Sequence, residues 1–197
     1  MLFRSHSISL AAAVLGYVHA DSVLVEAFIG FTVALVAIEY FVLHRQSAMT
    51  MAGVCMAFAW AVGLLAVILN AVPGRALFAY AGFGVFALCY LLASRTLATR
   101  NAPRAGALLF VATACFGLVH GFGFAGFLME TGLLGASLLL PLLGFNLGVE
   151  IGQLVLVAGA LLLAGLVRGR VPRAATPMLA ASLCGIGVFW FVGRTLA

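Results

Sequence analysis

The sequence predicts an all-α, polytopic transmembrane helical bundle of about seven spans, formed as a single integral membrane domain over residues 1–197. The chain is 65% hydrophobic and only 8% charged, whereas soluble domains carry roughly 25% charged residues. The apolar residues form seven runs separated by short polar segments. All ten basic residues are arginines. They stand between these runs, which favours a role in membrane orientation and argues against nucleic-acid binding.

Seven apolar segments account for the predicted spans in order. They cover residues 5–18, 23–43, 49–70, 75–93, 105–129, 133–167 and 176–192. Most approach the roughly 20 residues that cross a bilayer, although the first is short and the sixth is too long for one straight span. Pro141 and Gly144 lie inside the sixth segment and are expected to break or kink it. The half before Pro141 would then lie at the interface or re-enter the membrane.

The distribution of arginine predicts the orientation. With seven spans, eight arginines fall on one side of the membrane, and only Arg75 and Arg194 fall on the other. Cytoplasmic loops are enriched in basic residues, so the N-terminus is placed in the cytoplasm. The loops at 101–104 and 168–173 are then cytoplasmic as well.

The N-terminus has a second interpretation. Arg4, the apolar run after it and the small residue Ala20 resemble the three parts of a secretory signal peptide. Cleavage after Ala20 would leave six spans and would remove His6 and His19. The sequence alone leaves both interpretations open.

The sixth segment carries a polar face. Glu150 is the only ionisable residue between positions 133 and 167. Asn146 and Gln153 lie four residues before it and three residues after it, so the three side chains share one side of a helix. A carboxylate inside a membrane is costly and therefore usually has a function and a partner.

Glycine forms the opposite side of the same segment. Gly144, Gly148 and Gly152 repeat every four residues and fall roughly 160–200° away from the polar side chains, at about 100° per residue. Small residues let helices in a membrane approach closely. We therefore expect this face to pack against another helix, and a homo-oligomer or a membrane partner could also use it.

His120 is the candidate ligand on the fifth segment. It lies in the run G-L-V-H-G-F-G-F-A-G at 117–126, where the glycines leave the imidazole open to a neighbouring helix or an ion. If the sixth segment breaks near Gly144, His120 and Glu150 reach similar depth and are expected to meet, directly or through one water or ion. The alternative is a histidine bonded to a backbone carbonyl within the bundle.

Other polar residues lie on the first two spans. Glu26 is near the outer end of the second span and Glu39 near its inner end, where they could guide a cation or simply be interfacial carboxylates. His6 and Ser9 stand one turn apart on the first span. Three further residues lie in or next to loops and are interpreted as structural: His19, Asp21 and His44.

Motifs of several enzyme classes are absent from the sequence. There is no nucleophile elbow, phosphate-binding loop, dinucleotide fingerprint or H-E-x-x-H. The four cysteines are scattered singly without a C-x-x-C pair, so neither a disulfide framework nor a thiolate metal site is indicated. We expect a protein that is not an enzyme and holds no tightly bound cofactor.

Three sequence blocks carry a resemblance to a known family. They are S-H-S-I-S-L-A-A-A-V-L-G at 5–16, continuing through V-E-A-F-I-G-F-T-V-A-L-V-A-I-E at 25–39; H-G-F-G-F-A at 120–125; and L-L-G-F-N-L-G-V-E-I-G-Q-L at 142–154. The closing F-W-F-V-G-R at 189–194 is a weaker match. These blocks resemble the HupE/UreJ family, small bacterial membrane proteins that accompany hydrogenase and urease genes and are regarded as nickel or cobalt permeases.

The resemblance implies transport of a divalent transition-metal cation, nickel or else cobalt, across the bacterial inner membrane into the cytoplasm. The metal would be the substrate. His120 would supply a nitrogen ligand, Glu150 a negative charge, and Asn146 and Gln153 amide oxygens, while Glu26 and Glu39 would guide the ion. The positions that match the family are His6, Glu26, Glu39, His120, Asn146, Glu150 and Gln153.

One departure from the family pattern bears on the metal. Family members usually carry an earlier helix with a histidine-rich H-x-x-x-x-D-H signature, and this sequence has none. Either the chain is shortened or its ions are bound differently. Two other functions stay open: a non-transporting accessory subunit for metalloenzyme maturation, and a membrane enzyme that uses His120 and Glu150 as an acid–base pair.

Overall fold

A computed structural model describes residues 2–44, 47–100, 103–130, 139–167, 172 and 174–197. Within these ranges the chain forms seven α-helices, one 3₁₀ turn at Gly74–Ala76 and no strand. Six of the helices are long and apolar enough to cross a membrane, and the first is shorter. The predicted all-α membrane bundle is therefore confirmed. The helices are α1 (Leu2–Val14), α2 (Ser22–His44), α3 (Ala48–Ile68), α4 (Leu77–Arg100), α5 (Pro103–Glu130), α6 (Leu139–Leu166) and α7 (Ala175–Leu196).

Helix α1 ends before the predicted first segment does, because a glycine caps it. Gly16 has a φ of 77°, which glycine adopts without steric cost. Its N–H donates to the carbonyl of Ala13 at 3.0 Å, and the N–H of Tyr17 donates to that of Ala12 at 2.9 Å; together these bonds form a Schellman cap. The 13 residues of α1 span about 20 Å. Helix α1 is thus shorter than a hydrocarbon core of about 30 Å.

The expected break in the sixth segment is wrong. Helix α6 runs without interruption from Leu139 to Leu166. Pro141 lies in its first turn, where a backbone N–H has no helical acceptor in any case. A break at Gly144 would leave backbone groups unpaired in lipid, so the continuous helix is favoured. The start of the segment, residues 133–138, lies outside the described residues.

An aromatic cluster joins α2, α4 and α7 at the core of the bundle. Phe28 and Phe31 of α2 meet Phe83 of α4 with ring centroids 4.8 and 5.7 Å apart. Phe191 of α7 packs on Phe31 at 5.6 Å. Such ring pairs add to the stabilisation that burial of their apolar surface provides.

Two glycines let α2 and α7 lie against each other. A Cβ added at Gly187 would lie 2.8 Å from the carbonyl oxygen of Gly30, and one added at Gly30 would lie 2.5 Å from the backbone nitrogen of Phe191. Only glycine fits at these two positions, because backbone atoms cannot rotate away. The contact places the first turns of α2 beside the last turns of α7.

Helix α1 packs along α5, and α6 contacts α1 as well. Gly121 of α5 lies directly against Ser9 and the backbone of His6. Helices α5 and α6 also meet, where the rings of Phe124 and Phe145 lie 5.5 Å apart. None of the apolar span of α6 is buried by the rest of the described chain. Helix α6 is therefore the peripheral member of the bundle.

The glycine face of α6 is not covered by another helix of this chain. A Cβ added at Gly144, Gly148 or Gly152 would meet no atom within 4 Å among the described residues. Within the described residues, the expected packing of this face against another helix of the chain is therefore wrong. The polar face of α6 turns toward α1, and its glycine face is left to lipid or to a partner.

The arginine distribution gives a testable orientation for this bundle. A reporter enzyme that is active only outside the cytoplasm should be active when fused after Ala197 and inactive when inserted after Ser47, because Ser47 lies at the arginine-rich end. Enzyme activity in intact cells measures both fusions, and the opposite pattern would reverse the orientation. The loop at 168–173, predicted to be cytoplasmic, lies outside the described residues except for Pro172.

Candidate functional site

A cavity of about 600 Å³ lies between four elements. They are the outer end of α2, the outer end of α7, helix α5 and the connection between α1 and α2. We call it the outer cavity, because the arginine distribution predicts that this end of the bundle faces away from the cytoplasm. Much of its wall is apolar, and the glycines of α5 contribute to it. Its volume is large enough for an ion with several water molecules. The lining residues that carry polar side-chain atoms are His19, Ser22, Glu26, His120, Trp190 and Arg194.

His120 lies in the α5 wall of the outer cavity. Its Nδ1 is 2.8 Å from the carbonyl oxygen of Phe116, one turn earlier. A carbonyl can only accept a hydrogen bond, so Nδ1 carries the hydrogen and Nε2 keeps a lone pair. The backbone bond of the alternative interpretation is present, and the same bond orients the ring as a potential nitrogen ligand.

Glu26 has a partner that the sequence analysis did not identify. Its Oε2 lies 2.7 Å from Nε of Arg194, and the side chains are 34% and 49% exposed respectively. The guanidinium carbon also lies 5.1 Å from the centroid of the Trp190 ring, within the range of a cation–π interaction. The outer carboxylate is thus held by an ion pair at the wall of the cavity.

His6 stands between the helices that carry the other candidate residues. It is 5% exposed, and its Nε2 has no hydrogen-bond partner in the part of the chain that the structure describes. Its ring meets the ring of Phe124 edge-on at 6.4 Å, and its backbone lies against Gly121, the residue that follows His120. The adjacent Ser7 donates a hydrogen bond of 2.7 Å to Oδ1 of Asn146. Helix α1 therefore links the His120 side of the bundle to the polar face of α6.

The structure does not pair His120 with Glu150. No residue of α6 lines the outer cavity, and no ion pair joins the two side chains within the described ranges. Glu150 is half-buried, and the Oε1 atom of Gln153 is buried with no hydrogen-bond partner among the described residues. Across the described part of the chain, no three His, Cys, Asp or Glu side chains lie close enough to hold one ion.

Glu39 lies in a separate hydrogen-bonded cluster near the inner end of α2. The hydroxyl of Tyr90 donates to its Oε2 at 2.5 Å, and the hydroxyl of Ser94 donates to its Oε1. Nearby, the guanidinium of Arg95 donates to the carbonyl of Val42. These bonds tie α2 to α4 and satisfy both carboxylate oxygens of Glu39.

Tyr90→Phe is expected to destabilise the protein by about 1–3 kcal/mol, because it removes a donor from a half-buried carboxylate. Unfolding in detergent with increasing denaturant would measure the change. Tyr17→Phe is the matched control, since Tyr17 is 80% exposed and should tolerate the loss of its hydroxyl. Equal stability of the two variants would contradict a role for Tyr90 in holding Glu39.

The loop residues divide into two groups. Asp21 caps α2, because its Oδ1 accepts from the N–H of Leu24 at 3.3 Å. His44 bonds to the carbonyl of Tyr40 at 2.7 Å. Both are structural, as expected. His19 instead lines the outer cavity, and no local motif distinguishes it in the sequence.

One family model matches nearly the whole chain, including every residue that lines the outer cavity. A family model described as "HupE / UreJ protein" matches residues 2–73 and 84–194. The chain belongs to the HupE/UreJ family. As a HupE/UreJ protein it is a multi-pass membrane protein of a family known as hydrogenase and urease accessory proteins, to which nickel transport is ascribed. No match was found among curated proteins or among solved structures.

Proposed function

We propose that this HupE/UreJ protein carries a divalent transition-metal cation, nickel or cobalt, across the bacterial inner membrane into the cytoplasm. The observation that carries the proposal is the outer cavity. It gathers His19, Glu26 and His120 from three separate elements around one space. Imidazole and carboxylate donors suit Ni²⁺, Co²⁺ or Zn²⁺ better than Cu(I).

His6 supplies the next donor on the proposed route. Buried polar atoms almost always have a hydrogen-bond partner, and the Nε2 of His6 has none among the described residues. The backbone of His6 lies against Gly121, the residue that follows His120, which lets a cation leaving the outer cavity use both imidazoles in turn. The unpartnered atom supports transient occupation by an ion or a proton.

The polar face of α6 continues the route toward the cytoplasm. Asn146 is already tied to α1 through Ser7, and Glu150 and Gln153 follow it along the helix. The buried, unpartnered Oε1 of Gln153 is an available oxygen donor. Glu150 supplies negative charge, and Glu39 supplies it separately at the inner end of α2.

The membrane potential is sufficient as a driving force for this route. The sequence contains no ATP-binding motif. Moving a dication inward is favoured by about 4.6 kcal/mol per 100 mV of inside-negative potential. The protein then has only to lower the cost of taking the ion through the hydrocarbon core.

Uptake of radioactive nickel by proteoliposomes with an inside-negative potential tests the proposal. His120→Ala and Glu26→Gln should each slow the initial rate by about tenfold or more, because each removes a cation ligand. His44→Ala is the matched control, since His44 is exposed and lies outside the cavity. Wild-type uptake no faster than that of protein-free vesicles would overturn the proposal.

A second candidate is a non-transporting accessory subunit that assembles with another membrane protein. The uncovered glycine face of α6 favours it, because such faces support close helix association in membranes. In that case Gly148→Leu should leave the isolated protein folded but abolish crosslinking to a partner or a second copy in native membranes. Unchanged crosslinking would exclude this face as the contact.

A further inference from the structure

We propose that the outer cavity contains a cation-exchange site, in which Arg194 is the resident counter-ion of Glu26 and a divalent transition-metal cation from outside takes its place. The proposal rests on the proposed function, because it names the first binding site on the same route. It assigns Glu26 as the primary ligand, His19 as a second donor and Arg194 as the group displaced.

The ion pair between Glu26 and Arg194 is suited to exchange. Its 2.7 Å contact joins side chains that are 34% and 49% exposed. Water and salt screen such pairs, so they are weak. A dication carries twice the charge of a guanidinium and can bind the carboxylate oxygens directly. A metal ion can therefore bind Glu26 when only the weak contact with Arg194 is broken.

Arg194 has a second interaction available once it leaves Glu26. Its guanidinium carbon already lies 5.1 Å from the Trp190 ring centroid, one turn back on α7. The backbone of α7 is fixed by the tight contact at Gly187 and by the buried Phe191. Exchange then requires only rotation of the Arg194 side chain, and the helices stay in place.

The cavity also determines the class of cation. His19 and Glu26 line the same space, so an entering ion meets an imidazole as well as a carboxylate. Imidazole favours transition metals, whereas Mg²⁺ and Ca²⁺ prefer oxygen ligands alone. The exchange site should therefore discriminate Ni²⁺, Co²⁺ and Zn²⁺ from Mg²⁺ at the outer surface.

Tryptophan fluorescence can report the exchange directly. The chain has two tryptophans, and Trp60→Phe leaves Trp190 as the only one; Trp60 is 43% exposed on α3, outside the cavity. The full-length protein in lipid nanodiscs would be titrated with Zn²⁺, which has no redox chemistry. Zn²⁺ should change the Trp190 emission as the guanidinium moves, equal Mg²⁺ should not, and Glu26→Gln should abolish the response.

Calorimetry of Zn²⁺ binding supplies the second measurement. Arg194→Gln should tighten binding by up to about fivefold, because the competing cation is gone. Arg194→Lys keeps the charge and should change the affinity less. The double variant with Glu26→Gln should bind as weakly as Glu26→Gln alone. A merely structural ion pair would give weaker or unchanged binding in Arg194→Gln.

The outcomes separate this proposal from the proposed function. Normal nickel uptake by the wild type, with no Trp190 response to Zn²⁺ and no tighter binding by Arg194→Gln, would overturn the exchange site and leave transport standing. A wild type that neither binds Zn²⁺ nor takes up nickel would overturn both. The wild-type uptake and binding measurements need no substitution in the site, so a poorly folded variant cannot decide the result.

Discussion

Gly187→Ala is expected to destabilise the folded protein by about 2–3 kcal/mol, although alanine forms helices better than glycine. The added Cβ would lie 2.8 Å from the carbonyl oxygen of Gly30 and 2.9 Å from Cα of Ala34. Both atoms belong to the backbone of α2, so no side-chain rotation relieves the overlap. The two helices would have to separate, and the aromatic cluster around Phe31 and Phe191 would lose its packing.

Gly185→Ala is the matched control for this substitution. It lies two residues away on the same helix, and a Cβ there meets no atom within 4 Å among the described residues. The same change should therefore be neutral or stabilising by up to about 1 kcal/mol. Denaturant unfolding in detergent would measure both variants, and destabilisation of the same size in both would refute the close contact of α2 with α7.

Gly121→Ala is expected to release α1 from α5. A Cβ at Gly121 would overlap the Oγ of Ser9 and the backbone carbonyl of His6, whose carbon would lie 2.9 Å away. A loss of about 2 kcal/mol in the local stability of α1 would raise the hydrogen exchange of its amides about 30-fold. The aromatic core contains no residue of α1, so the rest of the bundle should stay folded. Nickel uptake should fall at the same time, because His6 is displaced.

Gly126→Ala provides the comparison on the same helix. No atom of the described residues lies within 4 Å of a Cβ built there, so exchange in α1 should match the wild type. Mass spectrometry of the exchanged protein would resolve α1 from the other helices. Rapid exchange confined to α2 and α7 in Gly121→Ala would show that α1 is not held through this glycine.

The helices of this protein could be predicted from hydropathy, because in lipid the backbone N–H and C=O groups must form their hydrogen bonds within a helix. Their ends could not, since they depend on local caps. Gly16 ends α1 before the apolar run does. Pro141 was expected to break a helix, but its effect depends on where the helix begins, and α6 begins two residues before it.

The sequence predicted which residue types line the candidate site, but it did not predict which side chains contact one another there. The glycine-rich run around His120 correctly indicated a close helix, which proved to be α1. The expected pairing with Glu150 rested on depth in the membrane alone, and depth does not fix how a helix is rotated or what lies between two helices. The sequence could not show that Arg194 pairs with Glu26 or that His19 lines the outer cavity. Both relations exist only after the bundle has assembled.

The contact between α2 and α7 has a consequence for the order of biosynthesis. Helix α2 leaves the ribosome before α3 to α6, and α7, the helix that completes its packing, follows all of these. Until α7 has been made, the backbone surface at Gly30 lacks its neighbour and Glu26 lacks its counter-ion. The nascent chain therefore enters the membrane with an unprotected helix, and a chain truncated before Gly187 should be recognised and degraded by membrane quality-control proteases.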